Sequence, residues 1–207
     1  MKKFKFTLAA LAVATLLLLA TAIQSRAETA QSRTTLSMSC PMKLSFKTPS
    51  EQQKWGAVND GVMGGRSSGG PSFNDAHMVF SGVINTNGGG FSSVRRFVEP
   101  GVLGGADGIN LRVKSDGRGY KLSLRTDAYF RRRSIAFQAP IAATQPGEWE
   151  TVFVPFDDLQ ASIFGRPLRG ATFDPSKVNT IGIILSDGQD GPFELKVDWM
   201  EGCGKTA

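Results

Sequence analysis

The sequence reads as an all-β domain, a β-sandwich or jelly roll. Three observations predict this: an apolar alternation of period two that recurs along the chain, its return at close spacing, and Gly, Pro and Asp turns between the repeats. Successive side chains of a strand point to opposite faces, so such alternation marks a strand buried on one side. Ile109, Leu111 and Val113 alternate with Asn110, Arg112 and Lys114, and Tyr120, Leu122 and Leu124 alternate with Lys121, Ser123 and Arg125. Phe193, Leu195, Val197 and Trp199 alternate with Glu194, Lys196 and Asp198. The apolar member of each pair is expected to face inward, Trp149 and Trp199 included. No window carries the 3.6-residue stripe of an amphipathic helix. Eight or nine short strands separated by turns fit a sandwich of two antiparallel sheets.

In chain order, Lys2, Lys3 and Lys5 precede an apolar run from Phe6 to Ala20, and small residues follow. Residues 1–27 read as an export signal, with an uncleaved membrane anchor over residues 6–25 as the alternative. An extracytoplasmic or periplasmic location is expected on that basis. Residues 28–40 read as a polar linker, 41–203 as one domain and 204–207 as a tail. Strands are expected at residues 43–47, 77–85, 91–97, 109–113, 120–124, 134–137, 149–154, 180–185 and 193–199. The segment Ser115-Asp116-Gly117-Arg118-Gly119 reads as a hairpin turn, and Ser186 to Pro192 as a second tight connection. Residues 156–161 read as a short helical turn.

Charge excludes some functions. The chain carries 24 basic and 18 acidic residues. Without Lys2, Lys3, Lys5 and Arg26 the remainder holds 20 basic against 18 acidic residues, a net +2. That balance gives no concentrated basic face for nucleic acid. Arg131-Arg132-Arg133 is the nearest approach to one and reads as a solvated strand end. Cys40 and Cys203 flank the domain, and an isolated pair suggests a disulfide joining its ends, two unpaired thiols being the alternative.

Catalytic patterns are missing from the sequence. His77 is the single histidine and reads as a strand residue. No nucleophile elbow, phosphate-cradling glycine loop or His/Cys metal spacing occurs. Asp157-Asp158 reads as capping, and Asp116 and Asp187 as turn residues. A non-enzymatic protein without cofactor or metal is expected.

The stretch from Trp55 to Ser67, Trp-Gly-Ala-Val-Asn-Asp-Gly-Val-Met-Gly-Gly-Arg-Ser, follows neither strand nor helix period. Two readings stand. Asn59 and Asp60 pin a shaped loop by side-chain to backbone bonds. Alternatively, Trp55, Asn59, Asp60, Met63, Arg66 and Ser67 form a loop facing a partner or ligand, with Trp55 as the anchor.

This motif is followed by Phe80-Ser81-Gly82, by Gly89-Gly90-Phe91 through Arg95, and by Gly108-Ile109-Asn110-Leu111-Arg112-Val113 with Asp116-Gly117-Arg118 and Tyr120. Next come Gly147, Trp149 and Val154-Pro155-Phe156, then Ile181-Gly182, Ser186-Asp187-Gly188-Gln189 and Gly191-Pro192-Phe193. In this order the segments resemble the CIA30 family, the complex I intermediate-associated protein 30 domain, over about residues 44–200. The resemblance implies a galactose-binding-like jelly roll. It also implies an assembly-factor or chaperone-like role on another protein, without catalytic residues. The family's best-known members are mitochondrial factors that assist assembly of the respiratory NADH:ubiquinone oxidoreductase, whereas the leader here reads as an export signal. A carbohydrate-binding module is the alternative for such a jelly roll, with Trp55, Tyr129 and Phe130 as its aromatic candidates.

Overall fold

A computed structural model describes residues 40–74 and 77–204. The expected leader over residues 1–27, the linker over 28–40 and the tail over 204–207 lie outside the described residues, apart from Cys40 and Gly204. Fifteen strands occur among the described residues. They are β1 (Met42–Ser45), β2 (Gly56–Asn59), β3 (Ser68–Asn74), β4 (His77–Ile84), β5 (Ser92–Phe97), β6 (Gly108–Ser115), β7 (Tyr120–Arg125) and β8 (Tyr129–Phe130). There follow β9 (Arg133–Ser134), β10 (Ala136–Pro140), β11 (Trp149–Pro155), β12 (Gln160–Ile163), β13 (Arg166–Pro167), β14 (Thr180–Leu185) and β15 (Gly191–Cys203).

One sheet runs β11-β6-β15-β4-β3, with β1 also paired to β15. The other runs β13-β12-β10-β7-β14-β5-β2. Every pairing described is antiparallel. The expected alternation supplies the core: Leu111, Val113, Leu195 and Val197 from the first sheet meet Leu122, Leu124, Ile181 and Ile183 from the second. Arg118 ties two connections together. It donates from Nε and one terminal nitrogen to the two oxygens of Asp187, at 2.9 and 2.7 Å, and from the other to the carbonyls of Gly191 and Pro192. The Cys40–Cys203 disulfide is formed, and β1 lies antiparallel to the end of β15 beside it.

Three details differ from the periodicity. The register of β15 shifts between Val197 and Trp199, a bulge that inserts one residue. Met200 therefore takes the inward side, and Trp199 turns to the outer face instead of the core. Trp149 is also outward, because Val152 and Val154 are the buried residues of its strand. Its ring meets His77 edge-on at 5.7 Å and carries the Arg112 guanidinium at 5.9 Å. Finally, the helical turn expected over residues 156–161 stops after Phe156–Asp158, and the chain continues as β12.

Candidate binding groove

Asp60 is fully buried within a 3-10 turn, Asp60–Met63, that follows β2. One carboxylate oxygen accepts the Ser67 amide at 2.9 Å. The other accepts the Ser67 hydroxyl at 2.6 Å and the amides of Gly90 and Phe91 at 2.6 and 3.3 Å. Burial alone would raise the pKa of this group. The Ser67 hydroxyl and the three amides outweigh it and hold the carboxyl below its ordinary range. Two glycines make room for the carboxylate. A Cβ on Gly65 or on Gly89 would lie 2.2 Å from its atoms, so the close approach admits no side chain at either position. Ser67 also donates to the Asn85 carbonyl and accepts from the Asn85 amide. Asn59 donates to the Gly69 carbonyl at 3.0 Å and accepts from the Ser92 hydroxyl at 2.6 Å.

The hydrogen bonds of the Asn59, Asp60 and Ser67 side chains thus all go to the protein. Asn59, Asp60 and Ser67 fasten the loops after β2 and β4 to one another. Trp55 is buried against Phe46, with ring centroids 5.5 Å apart, which corrects its reading as an exposed anchor or a sugar platform. Of the six residues singled out in the motif, Met63 and Arg66 reach solvent, together with Val62.

Met63 and Val62 stand at one end of a groove on the outer face of the second sheet. Two adjoining depressions of about 310 and 650 Å³ share Val58, Arg95 and Arg125. Arg95 of β5 and Arg125 of β7 are separated by β14, where the register sets Gly182 between Arg95 and Ser123. A Cβ at Gly182 would come within 2.9 Å of the Arg95 side chain, so the glycine leaves space for that stem to lie across the sheet. Gln138 and Ser162 extend the polar floor. Beyond it the rim is apolar and exposed: Val62 and Phe164 at one end, Phe97 and Tyr129 at the other, each more than 60% accessible.

The electrostatics of the floor are uneven. Arg125 donates to the Ser134 carbonyl at 3.1 Å. Arg95 has a buried Nε without a hydrogen-bond partner among the described residues. Among the described residues no carboxylate lines either depression. Burial, and then the nearby charge of Arg125, lowers the Arg95 guanidinium to about 10. Burial also lowers that of Arg125. Beside the groove, β8 and β9 form a two-residue hairpin whose Arg131 and Arg132 both have positive φ, 48° and 64°. Arg133 stacks on Phe164 at 4.6 Å, and Arg131 on Phe130 at 5.3 Å. The triple-arginine run is therefore partly packed on aromatic rings. Arg95 and Arg125 escaped the sequence reading because Arg125 is one polar position of an alternating strand and Arg95 sits in a strand, Ser-Ser-Val-Arg-Arg-Phe, whose sequence does not mark its faces. Only their shared face distinguishes them from Arg112 or Lys114.

A family model, Complex I intermediate-associated protein 30 (CIA30), matches residues 44–197. The mouse protein named "Complex I intermediate-associated protein 30, mitochondrial" is 34% identical over 95 residues, 44% of this chain and 29% of that protein. The Neurospora crassa protein of the same name is 32% identical over 91 residues, 44% of this chain and 32% of its own length. The match spans about a third of these relatives. The family 11 carbohydrate-binding module of Clostridium thermocellum, solved with a β-1,3-1,4-mixed-linked tetrasaccharide, superposes with a TM-score of 0.58. It is 14% identical and covers 80% of this chain and 98% of the module. The same family's module from the cellulase Lic26A-Cel5E superposes at 0.56, with 15% identity, 74% of this chain and 90% of the module. These likenesses agree with the galactose-binding-like jelly roll. The relatives' names overturn the expected periplasmic or membrane-anchored location, since they are mitochondrial proteins. A basic, apolar amino-terminal segment is a compositional signal that did not identify the compartment. Among the described residues no helix is long and apolar enough to cross a membrane.

Proposed function

The chain belongs to the complex I intermediate-associated protein 30 (CIA30) family, and from that premise we propose that it is a non-enzymatic, chaperone-like module that binds another protein during assembly of a complex. The groove on the second sheet is its docking surface. The observation that carries this reading is the exposed apolar rim: Val62, Phe164, Phe97 and Tyr129 bracket one concave face. Large exposed side chains gathered in this way mark interaction sites rather than ordinary surface. The motif that identifies the family supports the same reading from below, because its pinned turn presents Val62 and Met63 to the groove. Its carboxylate is committed to four hydrogen bonds, which favours a structural role over acid–base work.

The test is site-specific photo-cross-linking in native extract, with the reactive residue at Met63, Phe164 or, as control, Phe153 on the first sheet. A discrete cross-linked protein from positions 63 and 164, absent from 153, is the expected outcome. Equal, diffuse labelling from all three sites would refute the docking surface.

A second reading is carbohydrate binding. It is favoured by Tyr129 and Phe130, exposed beside the polar floor, and by the likeness to modules of which one was solved with a tetrasaccharide. Calorimetric titration with that mixed-linked tetrasaccharide decides it: saturable heat lost in Tyr129→Ala supports the sugar, and no heat excludes this sugar.

A further inference from the structure

We infer that the groove is selective for an acidic partner segment, an extended stretch that presents an Asp or Glu side chain to Arg95 and Arg125 between flanking apolar residues. The inference rests on the docking surface proposed above and assigns the chemistry of its occupant.

Charge is the first ground. Arg95 and Arg125 sit on one face across β14, and neither is in an ion pair among the described residues. Arg96, the neighbour of Arg95 on the opposite face of β5, is paired with Glu51. The contrast lies within one strand: the inward arginine has its carboxylate and the outward one has none. Two partly desolvated like charges without a counter-ion are unfavourable, and the attraction of a carboxylate brought by a ligand offsets the desolvation cost and the repulsion. The buried Arg95 Nε is a donor still to be satisfied. A guanidinium matches a carboxylate with two parallel donors, which adds direction to the attraction.

Arg131, Arg133 and Arg166 line an adjoining depression that also has no carboxylate among the described residues, so the positive field extends past the floor. Such a field steers an acidic partner toward the groove before contact.

The rim is the second ground and decides the class of partner. Val62 and Met63 are aliphatic, and Phe164 and Phe97 stand at opposite ends of the groove. A nucleic acid or an acidic polysaccharide carries charge along its whole length and, although Phe164, Phe97 and Tyr129 offer it stacking faces, leaves the aliphatic Val62 and Met63 unused. A peptide that sets an acidic residue between Leu, Phe or Met side chains uses the guanidiniums and the rims together. The hydroxyl of Ser162 and the amide of Gln138 suit its backbone.

The full chain would be screened against arrayed dodecapeptides graded in acidic and apolar content, and the best binders measured by fluorescence anisotropy. The strongest are expected to hold one or two Asp or Glu residues flanked by Leu, Phe or Met. Replacing those acids by Gln or Asn in the peptide is expected to weaken binding at least tenfold. Arg95→Met and Arg125→Met are expected to do the same in the protein, while Arg112→Gln on the other sheet changes affinity less than twofold. Because the acid-to-amide change is made in the peptide, the result stands even where an arginine variant folds poorly. Best binders without acids, or tolerance of the amide replacement, would overturn the inference. So would polygalacturonate oligomers or oligo(dT) binding more tightly than any peptide and losing affinity in Arg95→Met. If cross-linking at positions 63 and 164 succeeds while acidic peptides do not bind, the acidic assignment fails and the docking surface stands. Failure of the cross-linking alone removes the docking surface instead.

Discussion

Asp60 shows how a residue of the motif that carries the resemblance is accounted for by structure. A carboxylate without solvent is unfavourable unless donors surround it, and here four hydrogen bonds do so. Asp60→Ala leaves buried amides unpaired and is expected to cost about 3 kcal/mol in urea unfolding. The same carboxyl predicts acid sensitivity. Its folded-state pKa lies below the ordinary 3.8, so its stabilisation is complete above that value and is lost as pH falls through the lower one. Asp187 acts in the same direction: burial would raise it, and Arg118 together with local amides lowers it. Stability is therefore expected to fall below about pH 4, less steeply in Asp60→Asn, as followed by circular dichroism during acid titration. Gly89→Ala places a methyl group against Asp60 and is expected to cost about 1–3 kcal/mol in the same unfolding assay. The sequence reading of Asn59 and Asp60 as loop pins was sound because short polar side chains beside glycines have that local chemistry. The Asp60 partners Gly90 and Phe91, and the Asn59 partner Ser92, lie about thirty residues away, and no local rule names them.

At the scale of elements, turn chemistry and alternation carried most of the expectation. Asp116 accepts the Arg118 amide at 3.0 Å, as a turn residue should. The ion pair of Arg118 with Asp187 joins two turns that are distant in sequence, and only folding brings them together. Arg118→Lys keeps the charge but not the paired geometry. It is expected to lose about 1–2 kcal/mol, measured by thermal unfolding. The β8–β9 hairpin breaks the turn rules, because both central residues are arginines in the left-handed region that Asn and Gly favour. Arg131→Asn with Arg132→Gly is expected to relieve about 1 kcal/mol per position, seen as slower amide exchange over residues 129–134. The bulge before Trp199 was illegible for a related reason. Alternation of 193–199 continues through it in the sequence, while one inserted residue reverses the faces from Trp199 onward.

At the scale of the molecule, the disulfide closes 163 residues of sequence between the ends of the sandwich. On a loop-entropy basis it contributes roughly 5 kcal/mol at most. Cys40→Ser with Cys203→Ser is expected to retain the β-sheet circular dichroism spectrum and to lose about 2–5 kcal/mol in denaturant. The β1–β15 pairing then holds the ends together without the covalent link. The groove belongs to this scale as well, since its floor draws on β2, β5, β7, β10, β12 and β14 and its rims on the end of β5, on loops and on the β8–β9 hairpin.

The sequence by itself determined the all-β class, the inward residues of most strands and the family, and it suggested the disulfide that the structure forms. Each of these follows from local periodicity, composition or an ordered motif. Tertiary structure alone decided that Trp55 is core, that Trp149 and Trp199 face outward, and that Arg95 and Arg125 share a groove without a counter-charge. The physical reason is register. Alternation tells which residues share a face of one strand, whereas strand order and bulges determine which strands bring their faces together.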